Sequence, residues 1–129
     1  MKIEHIAVNV EKPVMMANWY IENLGLKPVK RDVSAPFTSF LADDSEQVML
    51  EIYRNPPDSI PDYHSMDPLI LHLAFISDKP AEDKERLTRA GATFISERRF
   101  EDGTHLVMLK DPWGISIQLC KRGRPMLKE

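Results

Sequence analysis

The sequence contains one cysteine, Cys120. An intramolecular disulfide is therefore excluded, and a small buried thiol in a reducing, cytoplasmic setting is the expected state. There is no strong imbalance of charge: 17 Lys and Arg face 20 Asp and Glu, for a net charge of −3. So weak a field selects neither nucleic acid nor an anionic membrane as partner. No apolar run approaches the length of a membrane span. The opening "MKIEHIAVNV" is too short and too polar for a signal peptide and reads as a strand. What remains is an ordinary globular composition, 43% hydrophobic and 29% charged, over 129 residues. That length suits one domain with a core of its own.

The chain is written twice. "IEHIAVNVEKP" starts at Ile3 and "ILHLAFISDKP" at Ile70, 67 positions later, pairing His5 with His72 and Pro13 with Pro80. Each is an alternating strand, a polar turn and a proline, which is favoured in the first turn of a helix. The first copy predicts a helix with a stripe of Val14, Ala17, Ile21 and Leu24, ending at Gly25; the second predicts one over 83–90, with Leu87 and Ala90 inward, ending at Gly91. Three strands follow in each copy, at about 27–33, 37–42 and 47–53, then 93–99, 105–110 and 115–121. "LADDSEQVMLEI" and "MLKDPWGISIQL" again lie 67 apart. The fold class is thus α+β: two βαβββ modules, about 1–54 and 69–121, joined by a linker at 55–68 and followed by a tail at 122–129. The four prolines of the linker argue against a helix or central strand there.

Strand parity then separates a few polar residues from the core pattern. His5 points away from Ile6, Val8 and Val10; Glu51 from Leu50 and Ile52; His72 from Leu71 and Leu73; Gln118 from Ile117 and Leu119. His5 to Glu51 and His72 to Gln118 are both 46 residues. Duplication alone preserves core pattern, but these repeated residues lie off the core face and all can bind metal. Two imidazoles and two side-chain oxygens are a plausible ligand set for one divalent ion per site, Zn, Ni, Co, Fe or Mn. Glu51 alone would leave the centre at net +1, a useful Lewis acid toward a carbonyl or enediolate oxygen.

With these motifs in view, the sequence resembles the vicinal oxygen chelate superfamily, which includes glyoxalase I, methylmalonyl-CoA epimerase, extradiol dioxygenases and the fosfomycin and bleomycin resistance proteins. "IEHIAVNV", "LHLAF" and "LKDPWGISIQL" carry the resemblance, over about residues 1–121. It implies a cupped, barrel-like mixed sheet with a metal-binding cleft, and ligands on the first, fourth, fifth and eighth strands, matching His5, Glu51, His72 and Gln118. Most enzymes of the family carry Glu where this chain has Gln118. An amide cannot act as a base, so Glu51 is the catalytic candidate. The expected function is metal-dependent lyase or isomerase chemistry of the glyoxalase type on a small oxygenated molecule. The alternatives are a non-catalytic drug-binding protein of the bleomycin-resistance kind and an iron-dependent ring-cleaving dioxygenase. Weaker substrate-contact candidates are Tyr53, His105, Arg54 and Arg122, while His64 is expected to be solvated and Trp19 to lie in the core. The expected partners are a small-molecule substrate and a second copy of the chain, since similar modules with open sheet edges favour a homodimer. Whether a site forms within one chain or across two is open at this stage.

Overall fold

A computed structural model describes residues 1–127; the last two residues of the tail expected at 122–129 lie outside it. The chain divides into two compact units, Met1–Pro61 and a second beginning at Asp62, so the boundary falls inside the proline-rich stretch. Each unit is a βαβββ module.

In the first unit the elements are β1 (His5–Asn9), α1 (Pro13–Leu24), β2 (Lys27–Arg31), β3 (Ser39–Ala42) and β4 (Met49–Tyr53). The strand order is β1-β4-β3-β2, with β1 parallel to β4 and the other pairs antiparallel. A parallel neighbour cannot be reached by a hairpin, so the chain crosses over through α1. Pro13 opens that helix and Gly25, at φ 70°, ends it. α1 packs on β3 and β4. Its buried stripe is Pro13, Met16, Ala17, Trp19 and Tyr20, rotated from the expected one: Val14 is 44% exposed. The helix is apolar nearly all round, and the large side chains of Met16 and Tyr20 take the core positions. Between β2 and β3 the expected strands are cut short. Asp32 N–H donates to Thr38 O and Phe37 N–H to Ser34 O, both at 2.8 Å, which makes 32–38 a turn.

The second unit begins with a short 3-10 turn, Tyr63–Ser65, followed by β5 (Leu73–Ile76), α2 (Pro80–Arg89), β6 (Thr93–Arg99), β7 (His105–Lys110) and β8 (Ser116–Lys121). The order β5-β8-β7-β6 repeats that of the first unit, again with one parallel pair, β5 and β8. α2 lies over β7 and β8 and buries Leu87 completely, together with Val107, Leu109 and Ile117. Full burial of one such side chain stabilises by about 1.5–3 kcal/mol. Neither sheet closes into a barrel. Both keep open edges, β1 and β2 in one and β5 and β6 in the other. The outer strands β2 and β6 each carry a register irregularity, between Pro28 and Lys30 and between Phe94 and Ser96.

Candidate functional site

In the first unit the ladder pairs Ala7 with Glu51 and Glu51 with Phe40. Paired residues share a face, so His5, Ala7, Glu51, Tyr53 and Phe40 all project from the side opposite α1. Leu50 and Ile52, the apolar neighbours of Glu51, are buried on the helix side. His5 Nε2 lies 3.6 Å from Glu51 Oε1, with the side chains 39% and 21% exposed. The edge of the His5 ring meets Phe40 at 5.7 Å between centroids. His5 Nδ1 lies 2.9 Å from Glu4 Oε1. The ring thus turns Nδ1 toward Glu4 and Nε2 toward Glu51. Tyr53, a substrate-contact candidate, is half-buried two residues along the same face. Arg54 is drawn elsewhere, its guanidinium pairing with Glu11 at 3.3 Å.

The second unit repeats the arrangement. Gln118 pairs with Ala74 on one side and Met108 on the other, and is half-buried between the buried Ile117 and Leu119. His72 lies one residue before β5, in the parity of Ala74 and Gln118. Its Nδ1 is 2.8 Å from Pro68 O. A carbonyl oxygen cannot donate, so Nδ1 of His72 carries a proton and Nε2 is the nitrogen turned away from Pro68. Each unit thus offers one imidazole Nε2 and one side-chain oxygen on the face away from its helix. Among the described residues no three His, Cys, Asp or Glu side chains form a group that could hold a metal ion. The four candidates divide two and two between the units.

His105 stands apart from this set. It is three residues from Met108 and therefore on the α2 side of its sheet, away from Gln118. Both faces of "HLVMLK" are apolar and both are buried, Val107 on one and Met108 on the other, so alternation alone does not orient His105. His105 is itself buried, and its Nε2 bonds Glu97 Oε2 at 2.5 Å. Lys84 Nζ donates to the other oxygen of Glu97 at 3.0 Å. Hydrogen bonds from His105 first, and from Lys84 next, hold the Glu97 carboxyl below its ordinary range. This network escaped sequence reasoning, because its three members lie on α2, β6 and β7 with no motif spacing. A cavity of about 370 Å³ beside it is lined by Asp78, Lys79, Glu82, Arg99, His105 and Lys121. None of the four ligand candidates lines it, so its volume says nothing about their site. Arg122 is exposed and faces Asp102, whose carboxyl is lowered mainly by the Thr104 backbone N–H. His64 is exposed and Trp19 is buried, as expected from sequence.

The described residues contain no helix long and apolar enough to cross a membrane. A comparison with curated proteins finds no match. Among solved structures, the chain is similar to a glyoxalase family protein from Enterococcus faecalis, at 25% identity over 93% of this chain and 97% of that one, with a TM-score of 0.71. It is similar to a lactoylglutathione lyase from Agrobacterium tumefaciens, at 19% identity over 94% and 93%, with a TM-score of 0.69. TnmS3, an antibiotic binding protein from Streptomyces sp. CB03234, aligns at 18% identity over 93% and 94%, with a TM-score of 0.71. The family model described as Glyoxalase/Bleomycin resistance protein/Dioxygenase superfamily matches residues 2–119. With nearly its whole length matched, the chain belongs to that superfamily.

Proposed function

We propose that the chain is a metal-dependent lyase or isomerase of the glyoxalase type, with His5, Glu51, His72 and Gln118 as ligands and Glu51 as the catalytic base. The observation that carries this reading is the state of the two imidazoles. In both units Nδ1 is engaged by an oxygen and Nε2 is turned to the face away from the helix, in the first unit toward Glu51, which is how a metal-binding histidine is usually held. The donor chemistry fits a first-row divalent ion such as Zn, Ni, Co, Fe or Mn. In the first unit the fit extends to distance: two donors each about 2.1 Å from one ion lie about 3–4 Å apart, and His5 Nε2 and Glu51 Oε1 are separated by 3.6 Å. A bound ion would supply Lewis-acid polarisation of a substrate carbonyl.

The protein's own part is proton transfer and orientation. Glu51 would take the proton from the hydroxyl-bearing carbon beside the substrate carbonyl, giving an enediol, and return it to the former carbonyl carbon while the hydroxyl proton passes to the former carbonyl oxygen, so that the net change is an isomerisation. Gln118 has no titratable oxygen and serves only to ligate, leaving the proton to Glu51 alone. Tyr53, on the face of Glu51, offers a phenol to the substrate. Cys120, buried in β8, fits a cytoplasmic setting in which it stays reduced.

A second reading has its own support. The neutral Gln118 weakens the case for turnover, and the similarity to TnmS3 supports sequestration of a small molecule without catalysis. The deciding experiment is elemental analysis of protein purified without chelator, for wild type, His5→Ala and His72→Ala. A divalent ion near one per site in wild type, largely lost in both folded variants, is expected. A metal-free wild type, or unchanged metal in both variants, overturns the metal reading and leaves the binding protein.

A further inference from the structure

Lys110 closes β7, where a lysine would ordinarily reach into water. Instead it is 8% exposed. Its Nζ donates to three carbonyl oxygens, of Tyr63, His64 and Met66, each at 2.8 Å. An ammonium has three N–H donors, so all are satisfied by one short segment of backbone. The opposing surface is shaped to receive that segment. Gly114 sits at φ +95°, and a Cβ there would lie 2.5 Å from His64 N and 2.8 Å from His64 Cα. The turn that presents Gly114 is fixed by Asp111 Oδ1, which accepts from Trp113 N–H at 2.9 Å and Ile115 N–H at 3.0 Å.

From the clamped carbonyls the order runs on without a break. Asp67 Oδ1 accepts from Leu69 N–H at 2.9 Å, and Asp67 O from Ile70 N–H at 2.9 Å. Between them Pro68 presents its carbonyl to His72 Nδ1 at 2.8 Å. Lys110 also pairs with Ser116 in the ladder, so it shares the face of Gln118 and His72. We propose that Lys110 is a positioning residue for His72: by gripping the 63–66 carbonyls it holds the Pro68 oxygen where it fixes the His72 tautomer and directs Nε2 outward as a ligand. This rests on the metal-site reading for its consequence, but not for its geometry.

The test uses the full chain in two arms. In the metal-free protein, long-range 1H–15N spectra report the tautomer of each of the four histidines, with His72→Ala assigning the signal. Wild type should show His72 as the Nδ1–H form. Lys110→Met, which keeps the stem and removes the donors, should mix the tautomers. Should Lys110→Met fail to fold, Lys110→Gln carries the same expectation, since a shorter neutral amide with two N–H donors cannot hold three carbonyls. Leu87→Val, a core change on the far side of the sheet, should leave the tautomer untouched, which separates positioning from general loss of stability. In the second arm Co2+ is titrated into each protein. Outer contacts to a ligating histidine are typically worth about 10–100-fold in affinity, so Lys110→Met should weaken Co2+ about tenfold or more. An unchanged His72 tautomer in a folded Lys110 variant overturns the proposal. A wild type that binds no Co2+ overturns the metal reading instead, and the tautomer arm still decides the role of Lys110.

Discussion

Replacing Gly114 by alanine isolates one contact in the second unit. The new Cβ would stand 2.5 Å from His64 N, 2.7 Å from His64 Cγ and 2.8 Å from His64 Cα, two of these being backbone atoms that cannot swing aside. Gly103 supplies the control, since its φ of +91° nearly equals the +95° of Gly114, while a Cβ there meets nothing nearer than 3.9 Å. Both substitutions incur the strain of a positive φ, on the order of 1–3 kcal/mol. Both also recover a little through a stiffer unfolded chain, about 0.4–1 kcal/mol. These terms cancel in the comparison. What remains is the overpacking against His64, about 1–3 kcal/mol. With a urea slope of about 2 kcal/mol/M for a protein of this size, Gly114→Ala should unfold at a midpoint about 0.5–1.5 M below Gly103→Ala. Equilibrium unfolding by circular dichroism measures this directly. Equal midpoints for the two variants would mean that the 62–68 segment does not press on the β7–β8 turn, and the clamp around Lys110 would lose its floor.

Other expectations can be checked independently. Glu51→Gln should retain some metal and lose turnover by about a hundred- to ten-thousand-fold, the usual worth of a general base; steady-state rates on a glyoxalase-type substrate near wild type would remove Glu51 from the chemistry. Gln118→Glu should bind divalent metal more tightly, because a carboxylate is a stronger ligand than an amide; weaker binding by calorimetry would show that Gln118 does not face the ion. The lowered Glu97 carboxyl makes a contribution to stability that is present above its unfolded pKa and lost as pH falls through the folded one. Wild type should therefore lose more stability on acidification than Glu97→Gln, and parallel acid limbs in pH-dependent melts would contradict this. We expect a homodimer at micromolar concentration, because β1 and β5 are edge strands flanked by exposed apolar side chains, Ile3 and Ile6 for one and Leu69, Ile70 and Ile76 for the other; a monomer by sedimentation would refute it.

Much of this fold was legible because the chain states it twice. The 67-residue repeat, the Lys-Pro at each helix start and the alternation in "VMLEIY" and "GISIQLCK" recover both modules, and the strands at Thr93–Arg99 and His105–Lys110 appear with the expected bounds. The misreadings have physical causes. α1 is apolar on several sides, so periodicity alone could not choose between Val14 and Met16 for the core. The strands expected to reach residue 33 and to begin at 37 are broken by the turn around Ser34 and Phe37, where backbone bonds replace the ladder. At the candidate site, parity picked out His5, Glu51 and Gln118 as residues off the helix face. It could not show that the imidazoles are oriented by Glu4 and Pro68. Lys110 was invisible for a related reason: its partners are main-chain carbonyls, which every residue possesses and no motif records.

The two register irregularities of the outer strands bear on which sheet edges another chain could join. β2 carries Lys27, Lys30 and Arg31 around a proline that has no N–H to offer, and β6 ends in Arg98 and Arg99. Each strand skips a residue in pairing, at Val29 and at Ile95. A kinked, cationic border, with a missing donor as well in β2, is a poor template for another chain, whereas β1 and β5 have no such guard. Each sheet is therefore receptive along one border and repellent along the other. Strand addition by another chain is thus directed to the β1 and β5 borders and away from β2 and β6.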